Sequence, residues 1–450
     1  MLSSLRVDAI QRITISLELC LDAAGFLLLP ILVLAPHGIA PLATIAGAVA
    51  LGLVLRNGKA GFRPLQLPAA LLGALLAWGT ASAVWSVDPA HSLLIAARLG
   101  GLFAAGLVLT AAAGALVCPR RLLLCFYIGL VLALVLVSIQ FATNGLLTHP
   151  FVARDFAAPQ LNQASDTLAF LVLPASACLI HRGRTWLSLM LAMVTLMVIY
   201  GLVGTVAKLA LGVGIVLAVL LYVAPRHTAR LAAILCVLII ITAPLTFARL
   251  AQLQDVTEMA ETVKFSAWHR LMIWSFAGDR IAERPLGGWG LDVARAIPGA
   301  DEPIAEGRVW LPLHPHNAAI QVWLELGVPG AVLFALIIAW LWLTLGADPW
   351  PRLFTAATGA SLISAFVAAI GAYGIWQEWW IGTLWFSAVS HLGHVAVHTR
   401  PRDAIVSGIT PAKPKVRIAP KKWAVEPVAE FVEISCNQQG QTRIPDLRHP

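Results

Sequence analysis

At positions 314–317 the chain reads His314-Pro315-His316-Asn317, and an apolar run starts on the next residue. An unperturbed imidazole titrates near neutral pH, so a histidine at a helix mouth can take a proton from a sugar hydroxyl. Asn317 is the residue type that caps a helix or orients an imidazole. Arg308 stands just upstream, and Gln321, Glu325, Gly327 and Gly330 follow inside the run. Plainer readings compete: His316 as a hydrogen-bonded histidine at a membrane interface, His314 packed beside Pro315, Arg308 as a solvated loop charge, Glu325 as a packing residue. Two histidines one residue apart, with no third ligand at suitable spacing, do not make a zinc site, so no metal is expected. The six cysteines lack metal-type spacing as well and read as apolar fillers or unpaired thiols.

The elements that must position these residues are hydrophobic almost throughout. Apolar residues make up 59% of the 450, charged residues 12%, and the mean hydropathy is +0.82. A soluble domain carries about a quarter charged residues, so that class is excluded. Runs of 18 or more largely apolar residues each suffice to cross a hydrocarbon core of about 30 Å, and in that solvent the spans must be helices. About twelve spans are expected, over residues 15–34, 39–55, 67–84, 92–114, 122–142, 161–180, 186–202, 206–223, 231–247, 318–345, 353–371 and 379–394.

Lys and Arg favour every second connection. Arg6 and Arg12 precede the first span, and Arg56, Lys59 and Arg63 follow the second. Arg120 and Arg121, Arg182 and Arg184, and Arg226 and Arg230 follow the fourth, sixth and eighth. Short basic loops stay in the cytoplasm, so both termini are expected there. The net charge of +8 then follows from topology and a basic tail, and no nucleic-acid partner is implied. The chain divides into a bundle of about nine helices (1–249), a long loop (250–317), about three more helices (318–398), and a polar tail (399–450) expected to be disordered. The long loop lies opposite the cytoplasm. In it Phe265, Trp268, Leu271, Met272 and Phe276 recur at helical spacing, predicting an amphipathic helix on the bilayer surface or on the bundle. Pro285 and Gly287-Gly288-Trp289-Gly290 end that helix. Trp376, Trp379 and Trp380 read as interfacial belt residues.

The stretch HPHNAAIQVWLELGVPG, with HRLMIW and RPLGGWGLD before it, resembles the domain shared by O-antigen ligases, O-antigen polymerases and bacterial protein O-oligosaccharyltransferases. Among these the chain looks like an O-antigen ligase. The resemblance covers residues 264–338, with weaker echoes at Trp85-Ser86-Val87-Asp88-Pro89 and Leu161-Asn162. It implies an all-α polytopic membrane fold, a GT-C-like glycosyltransferase with a large, partly helical periplasmic loop. The implied donor is a glycan on undecaprenyl pyrophosphate at the bacterial inner membrane, and transfer needs neither metal nor cofactor. Carried over by position, His316 matches the histidine that activates the acceptor and His314 the less constant first histidine. Arg270 matches the arginine that opens the loop's helix. Lys208 stands where the family often has the arginine of a Ser-Arg pair; here the sequence is Gly204-Thr205-Val206-Ala207-Lys208, and lysine lacks the bidentate fork.

Fixed cations stabilise the charge growing on a departing pyrophosphate. Arg270, Lys208, Arg98 and Arg154 all fall at the expected periplasmic level, with Arg98 the deepest, though each can also snorkel or form a structural ion pair. The expected reaction is glycan transfer to lipid A-core oligosaccharide, with inversion. Polymerase or protein O-oligosaccharyltransferase activity are the near alternatives. A polysaccharide or lipid transporter is the alternative of another class; it predicts charges at midplane depth in several spans, and here they gather at helix ends.

Overall fold

The computed structural model describes residues 2–57, 65–113, 116, 119–148, 156–263, 265–305, 307–347 and 350–399. Arg154 and, from residue 400 on, the expected disordered tail lie outside these residues. Among the described residues fourteen helices follow one another: α1 (Leu2–Leu34), α2 (Ile39–Asn57), α3 (Gln66–Ala81), α4 (Pro89–Ala113), α5 (Pro119–Ala142), α6 (Asn162–His181) and α7 (Thr185–Gly201). Then come α8 (Thr205–Val223), α9 (Pro225–Leu250), α10 (Gln254–Val263), α11 (Phe265–Glu283), α12 (Ala318–Ala347), α13 (Arg352–Gly371) and α14 (Glu378–Thr399). A short antiparallel pair, β1 (Pro303–Ala305) with β2 (Arg308–Val309), sits in the long loop.

Among the described residues ten helices are long and apolar enough to cross a membrane. The other two expected spans also fold as helices, α7 with 17 residues and α14 with 22. Many bulky apolar side chains point outward, including Met193, Met197, Val216, Val219, Leu235 and Leu343. In water such a surface aggregates; in lipid it is the matching face. The chain is an α-helical multi-pass membrane protein. Pro89, Pro119 and Pro225 open α4, α5 and α9, where the missing N–H costs nothing and φ is preset. Inside the bundle α13 packs against α6 and α8, α12 against α9, α1 against α5, and α2 and α14 against α4. The amphipathic helix α11 lies on the bundle, against α9 and α12.

α12 is broken one third of the way along. Gly327 has φ 62° and ψ −156°, and Pro329 has no N–H to give. The carbonyls of Leu324, Glu325 and Leu326 therefore lose their usual helical partners. The long loop replaces two of them: Trp289 N–H donates to Leu324 O at 3.0 Å and Gly290 N–H to Glu325 O at 2.9 Å. The Trp78 indole N–H reaches Leu326 O at 2.8 Å, and Val328 N–H turns to Pro285 O at 2.9 Å. The segment after α3 clasps the same loop, with Trp85 Nε1–H on Gly287 O at 3.1 Å and Val87 N–H on Trp289 O at 3.2 Å. The weaker echo WSVDP and the RPLGGWGLD stretch are thus in contact.

Trp376, Trp379 and Trp380 are 5%, 3% and 0% exposed, so they are core residues and not an interfacial belt. The α13–α14 turn folds back into the bundle, where Trp380 meets Phe170 edge-on at 5.8 Å and Trp379 meets Tyr373 at 4.8 Å. A tryptophan near a span's end carries no mark of which way its chain turns.

A Cβ at residue 327 would lie 2.5 Å from Leu286 O, and φ there is left-handed. Gly327→Ala should destabilise the protein by the ~1–2 kcal/mol of the left-handed conformation plus the clash. Thermal unfolding in detergent should show a melting temperature several degrees lower.

Candidate active site

The break in α12 leaves a short helix start that carries the motif. Asn317 Oδ1 accepts the N–H groups of Ala319 (3.0 Å) and Ile320 (3.1 Å), so the asparagine is the helix N-cap. The Trp274 indole of α11 donates to Pro315 O at 2.9 Å. Between these two anchors His316 is held at φ 54°, a left-handed conformation unusual outside glycine and maintained only by its surroundings.

Both imidazoles have defined roles. His316 Nδ1 lies 2.7 Å from Ala372 O, and a carbonyl only accepts, so Nδ1 carries the proton. Nε2 then holds a lone pair, with no hydrogen-bond partner among the described residues. His314 Nδ1 accepts the His316 backbone N–H at 3.1 Å, and its Nε2 meets the Gln377 side-chain amide at 3.2 Å. Since its Nδ1 accepts, neutral His314 is protonated on Nε2, and a flip of the Gln377 amide gives that N–H the Oε1 acceptor. The two rings are 4.4 Å apart. Burial, followed by the neighbouring His316, Arg295 and Arg270, pushes His314 down from 6.5 to about 3. Burial likewise pushes His316 down to about 4, with the Ala372 hydrogen bond opposing and Arg270 adding to the effect.

Arg270 of α11 faces the same place. It is half-buried, burial pulls its pKa down, and it stands within electrostatic reach of both imidazoles, Asp166 and Tyr373. Among the described residues it has no ion pair or hydrogen bond of its own. A guanidinium stripped of water and left with free donors is suited to a bidentate anion.

Of the other predicted cations, Arg154 lies outside the described residues, and Arg98 and Lys208 have partners of their own. Arg98 is 55% exposed and pairs at 3.5 Å with Glu378, the residue after Gln377. Lys208 is half-buried in the first turn of α8, its Nζ 5.6 Å from the Tyr200 ring, and lines an apolar groove with Gly212 and Val216. Arg308 lies over the Phe265 ring at 5.8 Å. Among the described residues no group of three His, Cys, Asp or Glu side chains could hold a metal ion.

The fold gives Gln321 and Glu325 their partners and adds Asp166, Asp292 and Tyr373, which motif reading passed over. Asp166 accepts the Tyr373 hydroxyl, and Tyr373 adjoins Ala372. Glu325 accepts the Asp292 N–H at 2.8 Å, Gln321 Nε2 at 3.1 Å and the Trp376 indole, while Gln321 Oε1 takes Ile375 N–H at 2.9 Å. His91 and Arg295 reach Asp292 at 3.0 and 3.6 Å. The sequence offered one signal, an acid (Asp166) inside an apolar run, where ionisable groups mark functional sites by default.

A polytopic helical membrane protein with a long loop folded onto its bundle, bringing histidines and an arginine together at one end, defines the class. The O-antigen ligase family model matches residues 189–335, which include the whole of that loop, so this stretch of the chain is similar to that family. It is 30% identical over 262 residues to a Rickettsia conorii protein provisionally named a polysaccharide ligase, covering 57% of this chain and 62% of that one. A Rickettsia prowazekii protein with the same kind of name is 28% identical over 314 residues, covering 68% of this chain and 75% of that one. The chain thus spans less than two thirds of the length of the R. conorii relative and three quarters of the R. prowazekii one.

The histidine shifts set a pH dependence. Unfolded chain takes up these protons near pH 6.5, the folded chain only near 4 and 3, so in between the unfolded state binds more protons and stability falls as pH falls. His314→Gln should flatten the drop in melting temperature between about pH 6.5 and about 5 relative to wild type. Asn317→Ala, which removes the cap, should cost about 1 kcal/mol at neutral pH, read by the same thermal unfolding.

Proposed function

We propose that this protein is a glycosyltransferase of the ligase type, moving a glycan from undecaprenyl pyrophosphate to lipid A-core oligosaccharide on the periplasmic side of the bacterial inner membrane. The observation that carries the reading is the free Nε2 lone pair of His316, fixed by the Nδ1–H bond to Ala372 O, beside the unpaired guanidinium of Arg270. The O-antigen ligase match supports the substrate class, and the basic short loops support cytoplasmic termini with the long loop in the periplasm.

In the proposed step an acceptor hydroxyl gives its proton to His316 Nε2 while its oxygen attacks the anomeric carbon. The bond from that carbon to the pyrophosphate oxygen breaks, and its electron pair leaves on the pyrophosphate. Direct displacement inverts the anomeric centre. Arg270 meets the charge on the leaving group, with Lys208, Arg98 and Arg154 as outer cations toward the headgroups. A histidine pushed down to about 4 is unprotonated at neutral pH, hence ready to accept, and the donor's negative charge beside it strengthens it as a base when donor is bound.

Full-length protein reconstituted with undecaprenyl-pyrophosphate-linked glycan and lipid A-core, chelator present, should transfer glycan to the core. His316→Ala should lower kcat by about 10²–10⁴ and Arg270→Ala by about 10²–10³. The acid limb of kcat/KM should fall near pH 4 and not near 6.5. Lengthened lipid-linked chains without core transfer would make the protein a polymerase. Undiminished transfer by His316→Ala would remove the base from the mechanism.

A further inference from the structure

The first turn of α6 puts Asn162, Ser165 and Asp166 on one helix face, since residues three and four apart are neighbours there. Asp166 is 2% exposed, and an acid so placed in a membrane helix needs a reason. Its Oδ2 accepts the Tyr373 hydroxyl, while its Oδ1 is buried with no hydrogen-bond partner among the described residues. Tyr373, 7% exposed, packs edge-on against Trp379 and tilted against Trp380, so its ring is held with the α13–α14 turn. The residue before it, Ala372, supplies the carbonyl that fixes the His316 tautomer. Arg270 stands within electrostatic reach of Asp166 and Tyr373 on one side and His316 on the other.

We propose that Asp166 is a positioning residue of this site with two separable effects. Through the Tyr373 hydroxyl it fixes the turn that presents the Ala372 carbonyl to His316, and so keeps Nε2 aimed and unprotonated. Through its charge it balances the Arg270 guanidinium while the site is without donor, and it competes with the incoming pyrophosphate for that cation. Asp166 touches no reacting atom; it acts through Tyr373 and Arg270. This rests on the functional reading above and adds the residue that tunes both halves of it.

The effects separate by variant. Asp166→Asn keeps the size and an oxygen for the Tyr373 hydroxyl but removes the charge. Tyr373→Phe removes the hydroxyl and leaves the charge. With full-length protein, calorimetric binding of farnesyl pyrophosphate, a soluble prenyl pyrophosphate, would be measured beside kcat, KM and the pH profile of transfer. Asp166→Asn should bind farnesyl pyrophosphate about tenfold more tightly and lower the donor KM. Tyr373→Phe should keep that affinity within about twofold while kcat falls about 10–100-fold, as expected when a base loses its aim by a fraction of an ångström to an ångström. A purely structural tie between α6 and the turn would lower the melting temperature of both variants without moving affinity in one and kcat in the other. If both variants match wild type in affinity, kcat and pH profile, the proposal is overturned while the functional reading stands. If wild type binds no pyrophosphate, both fall. Should Asp166→Asn not fold, Tyr373→Phe decides alone, since unchanged kcat there overturns the link to His316.

Discussion

A helix in a bilayer cannot leave backbone carbonyls bare, and the break in α12 frees three of them at once. Pro329 has no N–H for Glu325 O, the left-handed Gly327 turns the chain away from Leu324 O and Leu326 O, and the region offers no bulk water to compensate. Loop residues Trp289 and Gly290, with the indole of Trp78, take up the vacated acceptors. The loop is consequently held as firmly as a strand in a sheet, although it has almost no regular structure of its own. The histidines of the candidate site depend on that docking, because the segment after it leads to β1, β2 and the His314–Asn317 turn.

Once docked, the loop is locked by buried polar groups that satisfy one another. Glu325 takes three donors from three parts of the chain: the α12 helix itself, the loop at Asp292, and the α13–α14 turn at Trp376. Such a network is costly if any member is missing and specific when complete. Its consequence is geometric. It fixes the α13–α14 turn against the start of α12, which brings Ala372 O to His316 and Gln377 to His314. A neutral imidazole with one nitrogen tied and the other free follows from that geometry.

The same burial that fixes the imidazoles keeps them uncharged, while Arg270 remains charged beside them. A site that sets a neutral base near a guanidinium with no ion pair among the described residues favours an anionic ligand, and binding that ligand raises the basicity the proposed transfer needs.

Much of this was legible in the linear chain. Apolar runs long enough for a bilayer determine helices, because no other structure satisfies the backbone there, and the His314–Asn317 motif announces itself by residue type and by the span that follows. α11 was visible in the 3.6-residue spacing of Phe265, Trp268 and Met272, and Arg270 in the resemblance of HRLMIW to the family's loop helix. The fate of Trp376, Trp379 and Trp380 was not, since indoles at a span's end suit an interface and a core equally well, and only the direction of the turn chooses. Nor was the link of Asp166 to Tyr373, 207 residues apart, or of His316 to Ala372. Local sequence sets which segments enter the membrane and which side chains are chemically able; which nitrogen keeps its lone pair, and which cation stays unpaired, is decided by contacts between helices that periodicity does not encode.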